Sequence, residues 1–131
     1  MQGTVRTLDA EYRAFAERRV REVATGTADA LGAKAVVNWE PGYPVTMNTP
    51  ENTVYAAEVA RTIAGDVNDN VDPIMPAEDF SYMLEERPGA YIFLGNGDTA
   101  MCHHPAYNFD DEAIPFGASW YSGMIEARMP G

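Results

Sequence analysis

An α/β fold is what these 131 residues predict, and three patterns carry the expectation. Two short β-favouring runs bracket a long helical stretch before residue 40, a nearly continuous apolar run stands at residues 90–94, and helix start and stop signals recur between them. A composition with 46% hydrophobic and 11% aromatic residues is that of a packed globular protein. The length suits one ordinary domain or pieces of two smaller ones.

Thr4, Val5 and Thr7 make residues 3–8 a short strand, because β-branched side chains fit a pleated surface. Asp9 then offers a carboxylate to the first free amides of a helix that runs to about Leu31, with Gly32 as its stop. Tyr12, Phe15, Val20, Val23 and Leu31 form an approximate apolar stripe along it. Residues 35–39 (Ala-Val-Val-Asn-Trp) read as the next strand, which makes the opening segment β-α-β, closed by Pro41-Gly42-Tyr43-Pro44. A strand this close to residue 1 needs partners that a β-α-β does not contain, so the chain reads as one that starts part-way through a domain. Thr49-Pro50 opens a second helix ending near Gly65, Val71 to Ile74 is a short strand, and Glu78 to Glu86 is a short helix stopped by Pro88-Gly89. The run Ala-Tyr-Ile-Phe-Leu at 90–94 reads as a buried strand. Asp110 or Asp111 caps a last helix reaching about Arg128, with Pro115 and Gly117 disturbing its first turn.

The formal charge of −11, from 20 acids against 9 bases, repels phosphate backbones and argues against nucleic acid as a partner. Arg13, Arg18, Arg19 and Arg21 share the first helix with Glu11, Glu17 and Glu22, which is the pattern of a solvated helix face. One cysteine allows no internal disulfide and fits a reducing compartment. No apolar run approaches the roughly 20 residues of a membrane helix, and the first residues show no signal-peptide pattern. A soluble, cytoplasmic protein is expected.

Chemistry concentrates in residues 95–111, a Gly-, Asn- and Asp-rich connection holding both histidines and the cysteine at Cys102-His103-His104-Pro105. Imidazole is the commonest protein ligand for zinc and its neighbours, which points to a metal, although a histidine pair in a loop is often only surface. Adjacent side chains on an extended segment point apart, so one of the pair faces any given ion, and Pro105 holds His104 extended. Asp110 and Asp111 are either ligands or helix caps, and Cys102 is either a thiolate ligand or, more in character, a small buried hydrophobe. Glu78-Asp79 suits a helix N-terminus on electrostatic grounds alone. Arg6 offers a bidentate grip for a carboxylate or is a plain exposed arginine.

Five segments in order carry a resemblance: Gly3-Thr4-Val5-Arg6-Thr7, Tyr43-Pro44-Val45-Thr46-Met47-Asn48, Ala77-Glu78-Asp79-Phe80-Ser81, Pro88-Gly89-Ala90 with Phe93-Leu94-Gly95, and His103 through Glu112. Together they resemble the aminoacylase/hippurate-hydrolase family of dinuclear metallo-amidohydrolases, which cleave N-acyl amino acids, over nearly all of this chain and about the last third of a family member. The resemblance implies that residues 1–42 are the second half of a ferredoxin-like lid (β-α-β) that also forms a homodimer interface. It implies that residues 43–131 are the C-terminal part of a zinc-peptidase-like α/β catalytic domain.

It further implies that His103, two residues before Pro105, is a ligand to one of two divalent ions, zinc, manganese or similar, with His104 outside the ligand set. Arg6 falls on the arginine that reaches the substrate carboxylate, Glu78 on a supporting acid, and Gly95 and Gly97 near the acyl side of the substrate. Pro76 stands where a glycine is common, and Cys102 where a leucine is common. The remaining ligands and the general-base glutamate of the family lie upstream of the matched part, so this chain alone is expected to have little activity. Two other readings stay open: a catalytically inactive oligomerisation or binding module, and an independent metal site built from Cys102, His103, His104 and Asp110.

Overall fold

A computed structural model describes residues 1–129, and it contains four helices: α1 (Ala10–Ala30), α2 (Pro50–Ile63), α3 (Phe80–Glu86) and α4 (Ala113–Arg128). No strand occurs among the described residues, which overturns the expected α/β architecture and the β-α-β lid. The reason lies in what a strand needs. β-propensity records how well a side chain fits a pleated, half-buried surface, and a strand exists only through its ladder. Among the described residues no backbone hydrogen bond joins 3–8 to 35–39, and neither run forms a strand. Residues 90–94 are not the buried strand expected either, since Ile92, Phe93 and Leu94 are all exposed.

The chain divides into two compact units: Met1–Met47 with Asp72–Arg87, and Asn48–Val71 with the chain from Pro88 onward.

In the first unit α1 is set by local signals. Asp9 accepts hydrogen bonds from the Glu11 and Tyr12 amides at 2.7 and 3.0 Å, satisfying two of the free donors of the first turn. At the other end Gly32 adopts φ +71°, and the amides of Gly32 and Ala33 return to the carbonyls of Asp29 and Ala28 in a Schellman turn. Arg18 and Arg19 pair with Glu22, and Arg21 pairs with Glu17. These exposed pairs lie one helical turn apart, where each is worth about 0.3–0.5 kcal/mol. Arg21 also donates to Val37 O at 2.8 Å, so residues 35–39 are tied to α1 by a side chain instead of to a sheet by backbone. Arg13 donates to Gly42 O in the same way. No residue of α1 is buried. Tyr82 of α3 meets Tyr43 edge-on at 5.9 Å, and Ser81 is fully buried with its hydroxyl donating to Glu78 O.

In the second unit α2 packs on α4. Small residues set the spacing: Ala56 and Ala57 of α2 and Ala113 of α4 are the buried apolar residues. Trp120 of α4 donates its indole N–H to Ala56 O at 3.1 Å, and the Arg128 guanidinium lies 4.0 Å from the centre of the Tyr55 ring. Pro115 does not disturb α4, because an amide in the first turn has no helical partner to lose. A Cβ on Gly123 would meet Val59 Cγ1 at 2.9 Å, a branched side chain with little room to turn. For Gly123→Ala the overpacking costs about 1–3 kcal/mol and the helix preference of alanine returns about 1. A net loss of about 1 kcal/mol in urea unfolding is expected; a variant more stable than the wild type would mean α4 can shift away from α2.

Arg61 of α2 pairs with Asp69 at 2.5 Å, and the guanidinium holds the Asp69 carboxyl below the ordinary aspartate range. A depressed folded value means that this contribution to stability is present above the unfolded pKa and fades as the pH falls through the folded one. Both groups are exposed, so the effect on unfolding is small. The clear readout is carboxyl NMR: Arg61→Ala should raise the Asp69 midpoint to its ordinary value, and an unchanged midpoint would mean the pair does not form in solution.

Candidate functional site

The histidine loop is built from two consecutive turns. His104 N donates to Met101 O at 3.0 Å, and His103 has φ +71°, the marks of a type II turn with His103 at its third position. That position normally takes glycine, and His103 is the non-glycine residue with positive φ among the described residues. Holding it there costs about 1–3 kcal/mol. Tyr107 N then donates to His104 O at 2.9 Å, with Pro105 supplying the fixed φ of the second turn. So His103 sits in a left-handed turn and not on an extended segment with His104.

The two histidines have different surroundings. His104 Nδ1 accepts from the Ala106 amide at 3.1 Å, which places the proton of the neutral ring on Nε2. A ring with Nδ1 engaged and Nε2 protonated is a poor ligand. His103 is exposed at the apex of its turn. Cys102 is exposed too, against the expectation of a small buried hydrophobe. A two-residue turn at the tip of a surface loop leaves no packed neighbours for it.

Asp110 is committed locally. Its Oδ1 accepts from the Glu112 amide at 3.0 Å just before α4, whose N-cap is Glu112 and not Asp110 or Asp111. Its Oδ2 lies 3.7 Å from where a Cβ of Gly97 would stand, at a glycine with φ +74°. Among the described residues no three of His, Cys, Asp and Glu are gathered where they could hold an ion. The independent metal site of Cys102, His103, His104 and Asp110 therefore has no support.

In the other unit Arg6 donates from Nη1 to Met75 O at 2.7 Å. Among the described residues it forms no ion pair, although acids outnumber bases more than twofold. A carbonyl partner orients the fork without neutralising it. Glu78 is half-buried, and its Oε1 accepts from the Phe80 amide at 3.3 Å where α3 begins. Gly95 has open space around it.

Two asparagines have structural roles that the sequence did not assign. The side chain of Asn48 accepts from Tyr91 N at 2.7 Å and donates to Tyr91 O at 2.9 Å, the exchange that a residue of an antiparallel strand would make with its backbone. Beside it Thr49 N donates to Gly89 O, and Thr49 Oγ1 accepts from Gly89 N instead of capping α2. Asn96 does the corresponding work at the base of the histidine loop. The signal available in sequence was an amide at a turn, in Gly95-Asn96-Gly97 and in Asn48-Thr49-Pro50, which is too common to single out.

The family model described as Peptidase family M20/M25/M40 matches residues 5–127. Among similar proteins are a hippurate hydrolase of Campylobacter jejuni, 35% identical over 92% of this chain and 32% of that protein, and an N-acetylcysteine deacetylase of Bacillus subtilis, 32% identical over 95% and 32%. A thermostable carboxypeptidase 2 of Saccharolobus solfataricus is 33% identical over 90% of this chain and 31% of that protein. No solved structure matches. The chain spans about a third of the length of these curated relatives. Peptidases of this family are generally dinuclear metal enzymes. The described residues do not by themselves gather the donors such a centre needs. With a family match over nearly its whole length and five ordered segments behind it, the chain belongs to Peptidase family M20/M25/M40.

Proposed function

We propose that the protein to which this chain belongs is an amidohydrolase that releases free amino acids from N-acyl amino acids, hippurate-like substrates among them. The observation that supports this most is the match over residues 5–127 together with relatives named for N-acyl amino acid hydrolysis. In this reading His103 is one ligand of a centre of two divalent ions, zinc, manganese or similar, and the other ligands and the general base come from outside this chain. Arg6 selects substrates with a free carboxylate, Gly95 and Gly97 border the acyl group, and Glu78 plays a supporting part by holding the start of α3. Residues 1–42 serve as lid and homodimer interface and 43–131 as part of the catalytic domain. Helix α1 favours the dimer, since its Tyr12, Phe15 and Val23 share one side at helical spacing and are exposed, Tyr12 by 70%. Among the described residues no helix is long and apolar enough to cross a membrane, and the lone exposed thiol suits the reducing cytoplasm.

The test is an amine-release assay on the full reading frame that contains this chain, with zinc or manganese, against N-benzoylglycine and a panel of N-acetyl amino acids. Release from substrates with a free carboxylate, and much less from their methyl esters, is the expected result. No release from any of them sinks the proposal and leaves the binding-module reading, for which the exposed side of α1 is the docking surface.

A further inference from the structure

We propose that Asn96 is the positioning residue of the histidine loop: its amide clamps the two ends of the loop together and thereby sets where His103 stands. The proposal rests on the reading of His103 as a ligand only for its consequence, not for its geometry. Asn96 Nδ2 donates to Asn108 O at 2.8 Å, and Asn96 Oδ1 accepts from Asp110 N at 2.8 Å. A carbonyl and an amide two residues apart on one edge are what a neighbouring parallel strand would engage through its own backbone. Here a single side chain engages both. Thr99 adds a rung, its Oγ1 accepting from Asn108 N at 3.1 Å, so both backbone groups of Asn108 are held by side chains.

The position of the clamp matters more than its strength. Residues 97–107 form a loop whose apex is a strained turn at His103 and whose tip is exposed. Strain of about 1–3 kcal/mol at the apex persists only if the rest of the loop is pinned. The turns at 101–104 and 104–107 are local and do not set the direction of the loop as a whole. The bonds from Asn96 span 12 and 14 residues, which is what joins the two ends. Asn96 is not a catalytic residue, because it acts through His103.

The test uses the 131-residue chain, with amide exchange and histidine NMR as readouts. Asn96→Ala should speed exchange at the Asp110 amide by about tenfold, the effect of losing one hydrogen bond, and should move the ring resonances of His103. The indole N–H of Trp120, bonded to Ala56 O in the same unit, should keep its wild-type exchange. Unmoved His103 resonances, or Trp120 protection lost together with that of Asp110, overturns the proposal, the second result making Asn96 a support of the whole unit. If the alanine variant does not fold, Asn96→Asp keeps the oxygen for Asp110 N and loses the donor to Asn108 O. It should leave Asp110 slow and still move His103, and an unmoved His103 overturns the proposal again. Zinc alone separates this from the ligand reading. If zinc added to the full-length protein leaves its His103 resonances in place, the ligand assignment fails while the clamp stands on its exchange data.

Discussion

His103→Gly is expected to abolish hydrolysis in the full-length enzyme while making this chain slightly more stable. The two halves have separate causes. Under the proposed function His103 is a metal ligand, and its loss removes stabilisation of the developing charge that a bound ion would supply, several kcal/mol, so kcat should fall on the order of 10³-fold. On the stability side, His103 holds φ +71° in a turn position that favours glycine. Relief of left-handed strain returns about 1–2 kcal/mol, and the extra freedom of glycine in the unfolded chain removes about 0.5–1. A net gain of about 0.5–1 kcal/mol should appear in urea unfolding. His104→Ala, by contrast, removes one acceptor from the Ala106 amide and should lower kcat by no more than about tenfold. Activity retained in His103→Gly would remove this residue from the ligand set. Stability unchanged or lowered would mean that the turn is not strained in solution.

Trp120→Ala should be the most destabilising single change in the second unit. Removing a fully buried tryptophan costs about 3–5 kcal/mol, and Trp120 is half-buried, which brings the expectation to about 2–3. The loss is severe here because the contact of α2 with α4 has little else of size: its buried residues are alanines. Thermal unfolding followed by circular dichroism should show a fall of roughly 10 °C. Trp120→Phe keeps most of the ring and loses only the donor to Ala56 O, so about 1 kcal/mol is expected. A fall of under 3 °C for the alanine variant would show that the unit is held by something other than this helix pair.

Helices α1 and α2 were legible almost to the residue because their signals are local, whereas α3 and α4 begin about two residues later than their acidic residues suggested. Asp9 lies two and three positions from the amides it caps, and Gly32 lies three and four positions from the carbonyls its turn returns to. Local signals also misled. Thr49-Pro50 marks the start of α2 correctly, yet its hydroxyl turns to Gly89, forty residues away. Residues 3–8, 35–39 and 90–94 have strand-like composition, and composition says nothing about whether a partner edge is present.

The candidate residues divide in the same way. That His103 and Arg6 deserved attention followed from residue types in a fixed order, which a chain carries whatever its shape. That Cys102 is exposed and that Asp110 is engaged by Asn96 follow from contacts the order does not encode. Capping, turn chemistry and helix length act within four residues and are written in the chain. The clamps by Asn48 and Asn96 join segments 12 to 43 residues apart, and they, like burial, exist only once the backbone has brought those segments together.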